Sequence, residues 1–222
     1  MSHDDAVALL RSERLVAILR RVPAQRLLPI AHALYDGGVR AIECTFDHDA
    51  PGFVEDACVK IAALRDAFGD SLLVGCGTAM TCEEVDAAVG AGAGMVVSPH
   101  ADPAVIAHTR ALGAVSLPGA LTPTEIAAAH RAGADFVKLF PAGEMGLGYV
   151  RAVRAPLAHI PLFAVGGVRP QDVAAFLDAG VAGFGVGGPL VPAAAVQAGD
   201  YAAIRARAEA FTGAIRAWEA AR

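Results

Sequence analysis

The chain has 222 residues, 55% of them hydrophobic and 18% charged, with a formal net charge of −5, a balance that excludes a disordered or linker-rich protein. At this length roughly 70% of the unfolded surface can be buried, enough for one closed core. No basic run is present, so nucleic acid is not an expected partner, and the longest stretch without a charge or a side-chain amide, Ala179–Val196, carries five glycines and two prolines and is too short for the ~20 apolar residues of a membrane span. Near the N-terminus, Asp4, Asp5, Arg11, Glu13 and Arg14 interrupt any signal-peptide core. The four cysteines (Cys44, Cys58, Cys76, Cys82) form no C-x-x-C pair, which points away from a zinc site or disulfide scaffold. The expectation is a reduced, cytoplasmic chain.

In chain order, after a short N-terminal helix, short apolar runs recur at Leu15–Leu19, Ala41–Thr45, Leu72–Gly75, Met95–Ser98, Ala114–Leu117, Phe136–Phe140, Pro161–Val165 and Gly183–Val186. Each is too short for a helix and lacks strict alternation, the pattern of fully buried parallel strands. Between them lie Ala-rich stretches of helical period, including Arg26–Tyr35, Val54–Phe68, Glu83–Val89 and Pro170–Leu177. Thr81-x-x-Glu84 and Thr122-Pro123-Thr124-Glu125 mark helix starts. Gly37-Gly38, Gly90-Ala91-Gly92, Gly133 and Gly180 mark helix ends. Tyr201–Ala221 supplies the last helix. Eight strands alternating with helices predict a (β/α)8 TIM barrel as a single domain over 1–222. An open doubly wound sheet is the competing architecture, but no G-x-G-x-x-G follows the first strand.

Chemistry in such a barrel sits at the C-terminal strand ends. The chain has two lysines, and one of them, Lys138, interrupts the sixth run, Phe136-Val137-Lys138-Leu139-Phe140. Burial lowers a lysine's pKa and frees the amine that a Schiff base requires. Glu43 interrupts the second run in the same way, and strand parity puts Ala41, Glu43 and Thr45 on one face, as it does Phe136, Lys138 and Phe140. If both faces point inward, a carboxylate and an amine meet at the mouth, an arrangement suited to iminium chemistry; the alternative is a structural ion pair. Gly166-Gly167 and Gly187-Gly188 follow the seventh and eighth runs, where free amides cradle phosphate, and Pro189 is placed to open a short helix. Thr78 closes Gly75-Cys76-Gly77-Thr78 and offers a hydroxyl to a carboxylate, or else caps a helix. Arg20 either binds a carboxylate or is solvated. Asp47, His48 and His100 lack a ligand spacing for a metal, and Cys44 reads as a core residue.

Taken together, the segments 17–20 (A-I-L-R), 37–45 (G-G-V-R-A-I-E-C-T), 75–78 (G-C-G-T), 98–100 (S-P-H), 118–125 (P-G-A-L-T-P-T-E), 136–142 (F-V-K-L-F-P-A), 164–168 (A-V-G-G-V) and 185–191 (G-V-G-G-P-L-V) resemble the 2-keto-3-deoxy-6-phosphogluconate/4-hydroxy-2-oxoglutarate aldolases. The resemblance implies a class I, cofactor- and metal-independent homotrimer that cleaves a small-molecule keto acid to pyruvate and an aldehyde, glyceraldehyde 3-phosphate for the phosphogluconate type. It implies Lys138 as Schiff-base lysine, Glu43 as general acid/base, Thr78 on the pyruvyl carboxylate, and the glycines after strands seven and eight on the phosphate. Asp47 stands where phosphogluconate-type members often carry an arginine, a role Arg20 takes over. Ala164-Val165 is similar to the phosphogalactonate-cleaving branch, and Gly188 replaces a serine of many members. Two other readings compete: a phosphosugar isomerase or epimerase barrel, which has no need of Lys138, and a non-catalytic ligand-binding barrel.

Overall fold

Each expected apolar run forms a strand in the computed structural model, which describes residues 1–222, and every strand pairing is parallel. The strands are β1 (Leu15–Leu19), β2 (Ala41–Thr45), β3 (Leu73–Gly77), β4 (Met95–Val97), β5 (Val115–Leu117), β6 (Gly119–Ala120), β7 (Val137–Leu139), β8 (Leu162–Val165) and β9 (Gly183–Val186). They are hydrogen-bonded in the order β5-β4-β3-β2-β1-β9-β8-β7-β6. β5 and β6 are two halves of one barrel strand, broken at Pro118, which has no N–H to give to a ladder. The first half pairs β4 and the second pairs β7, so the ring closes through this residue. The fold is the expected eight-fold barrel, with one strand divided.

Around it lie α1 (His3–Glu13), α2 (Ala24–Asp36), α3 (Phe53–Phe68), α4 (Cys82–Gly90), α5 (Pro103–Ala111), α6 (Pro123–Arg131), α7 (Ala142–Arg154), α8 (Val173–Asp178), α9 (Ala193–Ala198) and α10 (Tyr201–Ala220). Strand bounds move by one or two residues from the expectation, as in β3, and two helix starts are displaced. Pro189 sits in a turn, and the short helix after β9 opens only after Pro192. The stretch 170–177 begins as a 3-10 turn, Pro170–Asp172, before α8. The expected helix-end glycines Gly38, Gly92, Gly133 and Gly180 all have φ between 91° and 103°, a conformation closed to most L side chains. No helix is long and apolar enough to cross a membrane.

Two cores result from the strand alternation. Ile42, Cys44, Val74, Cys76, Val137, Leu139 and Phe184 point outward to the helices. Val16, Ala41, Leu73, Met95, Val97, Val115, Leu117, Phe136 and Phe163 fill the barrel interior, and Ala6 and Leu10 of α1 close it from below. Space inside is shared between large and small residues. A Cβ on Gly183 would meet the Phe163 ring, one on Gly185 the Val165 side chain, and one on Gly75 the Met95 side chain. The G-x-G of β3 and the G-x-G-x-G that β9 begins therefore reflect interior packing, and they leave the upper layer open.

Candidate active site

Glu43 and Lys138 stand one inward position above Ala41 and Phe136, both members of the interior core. They are 3% and 8% exposed, and Glu84 is the one other charged side chain buried in the chain. As strand parity predicts, the sheet brings the two residues to the same end of the barrel interior. No ion pair within 4.0 Å joins them, although each charge acts on the other. Burial raises the Glu43 carboxyl above its ordinary value against the opposing pull of Lys138, the Thr45 hydroxyl and Arg20. Burial lowers the Lys138 ammonium; Glu43 opposes that shift and Arg20 adds to it. Both groups are thus pushed toward their neutral forms, the condition for an amine nucleophile with a proton donor beside it.

Three contacts that the sequence reading did not single out complete this centre. Thr45 Oγ1 donates to Glu43 Oε1 at 3.3 Å. Gly77 provides room, because a Cβ there would overlap the Glu43 carboxylate. The Phe140 ring, 49% exposed, lies 5.4 Å from Lys138 Nζ and would be met by a Cβ on Gly166. The alternation that found Lys138 also places Phe140 on the inward face. The demand on Gly77 was legible only as one glycine among 24.

The remaining expected residues ring the mouth. Thr78 has φ 60°, unusual for a β-branched residue, and neither its N–H nor its hydroxyl is bonded to another group of the chain. Arg20 is exposed and makes no ion pair, while its charge reaches Glu43, Lys138 and Asp47. Asp47 is held by the neighbouring arginine, accepting from Arg21 Nε at 2.8 Å and Nη2 at 3.1 Å. That pairing occupies Arg21 and leaves the Arg20 guanidinium without a carboxylate partner in the chain. The amides of Gly166, Gly167, Gly187 and Gly188 make no hydrogen bond within the chain. The Gly166 carbonyl is fixed by Gly143 N–H at 2.7 Å, and Glu144 brings a carboxylate beside Gly167. His48 bonds Glu84, and Cys44 is a buried core thiol pushed up to about 12 by desolvation.

The KDPG and KHG aldolase family model matches residues 7–207. The chain belongs to that family. It is 37% identical over 177 residues, 79% of its length and 83% of the relative's, to the 2-dehydro-3-deoxy-6-phosphogalactonate aldolase of Escherichia coli strain K12. To the 2-dehydro-3-deoxy-phosphogluconate aldolase of Treponema pallidum strain Nichols it is 33% identical over 195 residues, covering 87% of this chain and 89% of that one. A solved structure named native KDPGal superposes with a TM-score of 0.81 at 35% identity over 92% of this chain and 95% of that one. The protein is accordingly an aldolase, a carbon–carbon lyase that works on pyruvate, and the isomerase and non-catalytic readings fall away.

Proposed function

We propose that Lys138 forms a Schiff base with the C2 ketone of a 2-keto-3-deoxy-6-phospho sugar acid of the phosphogluconate type, and that Glu43 carries the protons. The observation that supports this is the burial of one amine and one carboxylate, both driven toward neutrality, at the C-terminal end of the barrel interior. The neutral Lys138 amine adds to C2, and Glu43 delivers the proton with which the carbinolamine loses water. The iminium accepts the electron pair of the C3–C4 bond as the C4 hydroxyl loses its proton and glyceraldehyde 3-phosphate departs. The enamine is protonated at C3 and the imine is hydrolysed to pyruvate. Neither metal nor cofactor enters these steps. Thr78 and Arg20 hold the carboxylate, Arg20 bidentately, and the four free glycine amides hold the phosphate. The cytoplasmic homotrimer of the resemblance is part of the same proposal. Light scattering would then report three copies of the 22.6 kDa chain.

The C4 epimer, the phosphogalactonate acid, is a second substrate reading, favoured by Ala164-Val165 and by the name of the 37% identical relative. Both epimers yield the same products, so the test is kcat/KM for each starting acid, with and without its terminal phosphate. The phosphate site has amides without hydroxyls at Val165 and Gly188, and the Glu144 carboxylate is nearby. Amide bonds to a charged oxygen still contribute about 1.5–3 kcal/mol each. The phosphorylated acids should be preferred, but less steeply than by serine-bearing relatives, and Gly188→Ser should steepen the preference. A higher kcat/KM for the unphosphorylated acids would remove the phosphate half of this proposal.

A further inference from the structure

Glu84 is the third buried charge of the chain and has no part in the proton transfers above. One of its oxygens does what a helix cap requires: Oε2 accepts from Met80 N at 2.6 Å and Thr81 N at 3.3 Å at the start of α4. The matching carboxylate at the start of α6, Glu125, accepts from Leu121 N and Thr122 N in the same way, is exposed, and has no partner on another loop. The second oxygen of Glu84 lies 2.8 Å from His48 Nε2, on the loop after β2. Capping does not account for that contact. The His48 ring is itself seated against Phe53, centroids 4.4 Å apart, and Phe46 N donates to Gly77 O at 2.8 Å. Thr78, at φ 60° with its N–H and hydroxyl free, is therefore bracketed. Gly77 is tied to the β2 loop on one side, and Met80 and Thr81 are tied through Glu84 to that same loop on the other.

We propose that Glu84, braced by His48, is a positioning residue that holds Thr78 in its left-handed conformation and so sets affinity for the substrate carboxylate, while leaving the chemistry at Lys138 unchanged. The proposal rests on the reading of Thr78 as a carboxylate ligand. With its proton on Nε2, His48 donates to the Glu84 carboxylate. Glu84→Gln retains an acceptor for the two amides and a polar group for His48. Glu84→Ala removes both ties, and His48→Ala removes the brace alone.

The test is steady-state kinetics in the condensation direction with pyruvate as the varied substrate, alongside circular dichroism. Glu84→Ala and His48→Ala should each raise KM for pyruvate about tenfold with kcat within about twofold, Glu84→Gln should largely restore it, and the cap control Glu125→Ala should leave KM unchanged. Should Glu84→Ala fail to fold, His48→Ala carries the test by itself. A folded His48→Ala variant with unchanged KM, or one that loses kcat in place of affinity, overturns the brace. Thr78→Val separates the two layers: if it raises KM while His48→Ala does not, only the brace is wrong, and if Thr78→Val leaves KM unchanged, the carboxylate reading fails together with the brace.

Discussion

Lys138 and Glu43 are each costly to bury alone, and their pairing without a direct salt bridge keeps both titratable. With folded pKa raised for Glu43 and lowered for Lys138, ionising either inside the barrel works against folding. For Glu43 the destabilisation grows as pH rises from the ordinary carboxylate value through the raised one. For Lys138 it grows as pH falls from the ordinary ammonium value through the lowered one. Glu43→Gln should slow turnover about 10²–10⁴-fold, the range for a lost general acid/base, with an unchanged circular dichroism spectrum. Full activity in that variant would assign the proton transfer to another group. The same substitution removes the anion that holds the Lys138 pKa up, so the pH profile of imine trapping should move to lower pH. Arg20→Gln removes a cation that pushes it down, so its profile should move to higher pH. Shifts of the same sign in both variants would contradict this electrostatic account. Lys138 and Glu43 were readable in the sequence because a charge inside an apolar run is conspicuous. Thr45 and Gly77 were not, since their roles depend on the position of the Glu43 carboxylate across the sheet.

At the scale of the element, strand parity carried most of what could be read. A five-residue apolar run specifies which residues face inward as soon as the run is known to be a strand. The break at Pro118 and the start of α9 after Pro192 were not legible, because proline signals an interruption without saying what lies beyond it. The left-handed residues Arg21 and Thr78 were equally hidden, since nothing in a non-glycine residue type announces φ near 60°. α1 makes a separate point. Its Leu10 is fully buried among Phe136 and Phe163 at the end of the barrel away from the mouth. Leu10→Ala should cost about 2–5 kcal/mol, the range for a leucine-sized cavity, with KM and kcat little changed at temperatures where the variant is folded. Denaturant unfolding checks the first part. A large loss of kcat in folded protein would mean that the plug also orders the active layer.

For the whole molecule, the closed apolar layers and the proposed chemistry occupy opposite ends of one barrel. The lower layers are apolar and closed by α1, and the upper layer holds the buried pair, ringed by Arg20, Thr78 and two glycine loops whose amides are unspent. The class of reaction was legible because that layer draws on residues from six strand ends in chain order. The choice between substrate epimers was not, because it turns on contacts with a C4 hydroxyl that no single residue type advertises. The central claim is the covalent role of Lys138. Incubation with pyruvate and borohydride, followed by peptide mass analysis, should place a reduced pyruvyl group on the Lys138 peptide whether or not a chelator is present. An adduct on Lys60 in its place, or trapping abolished by the chelator, would contradict it.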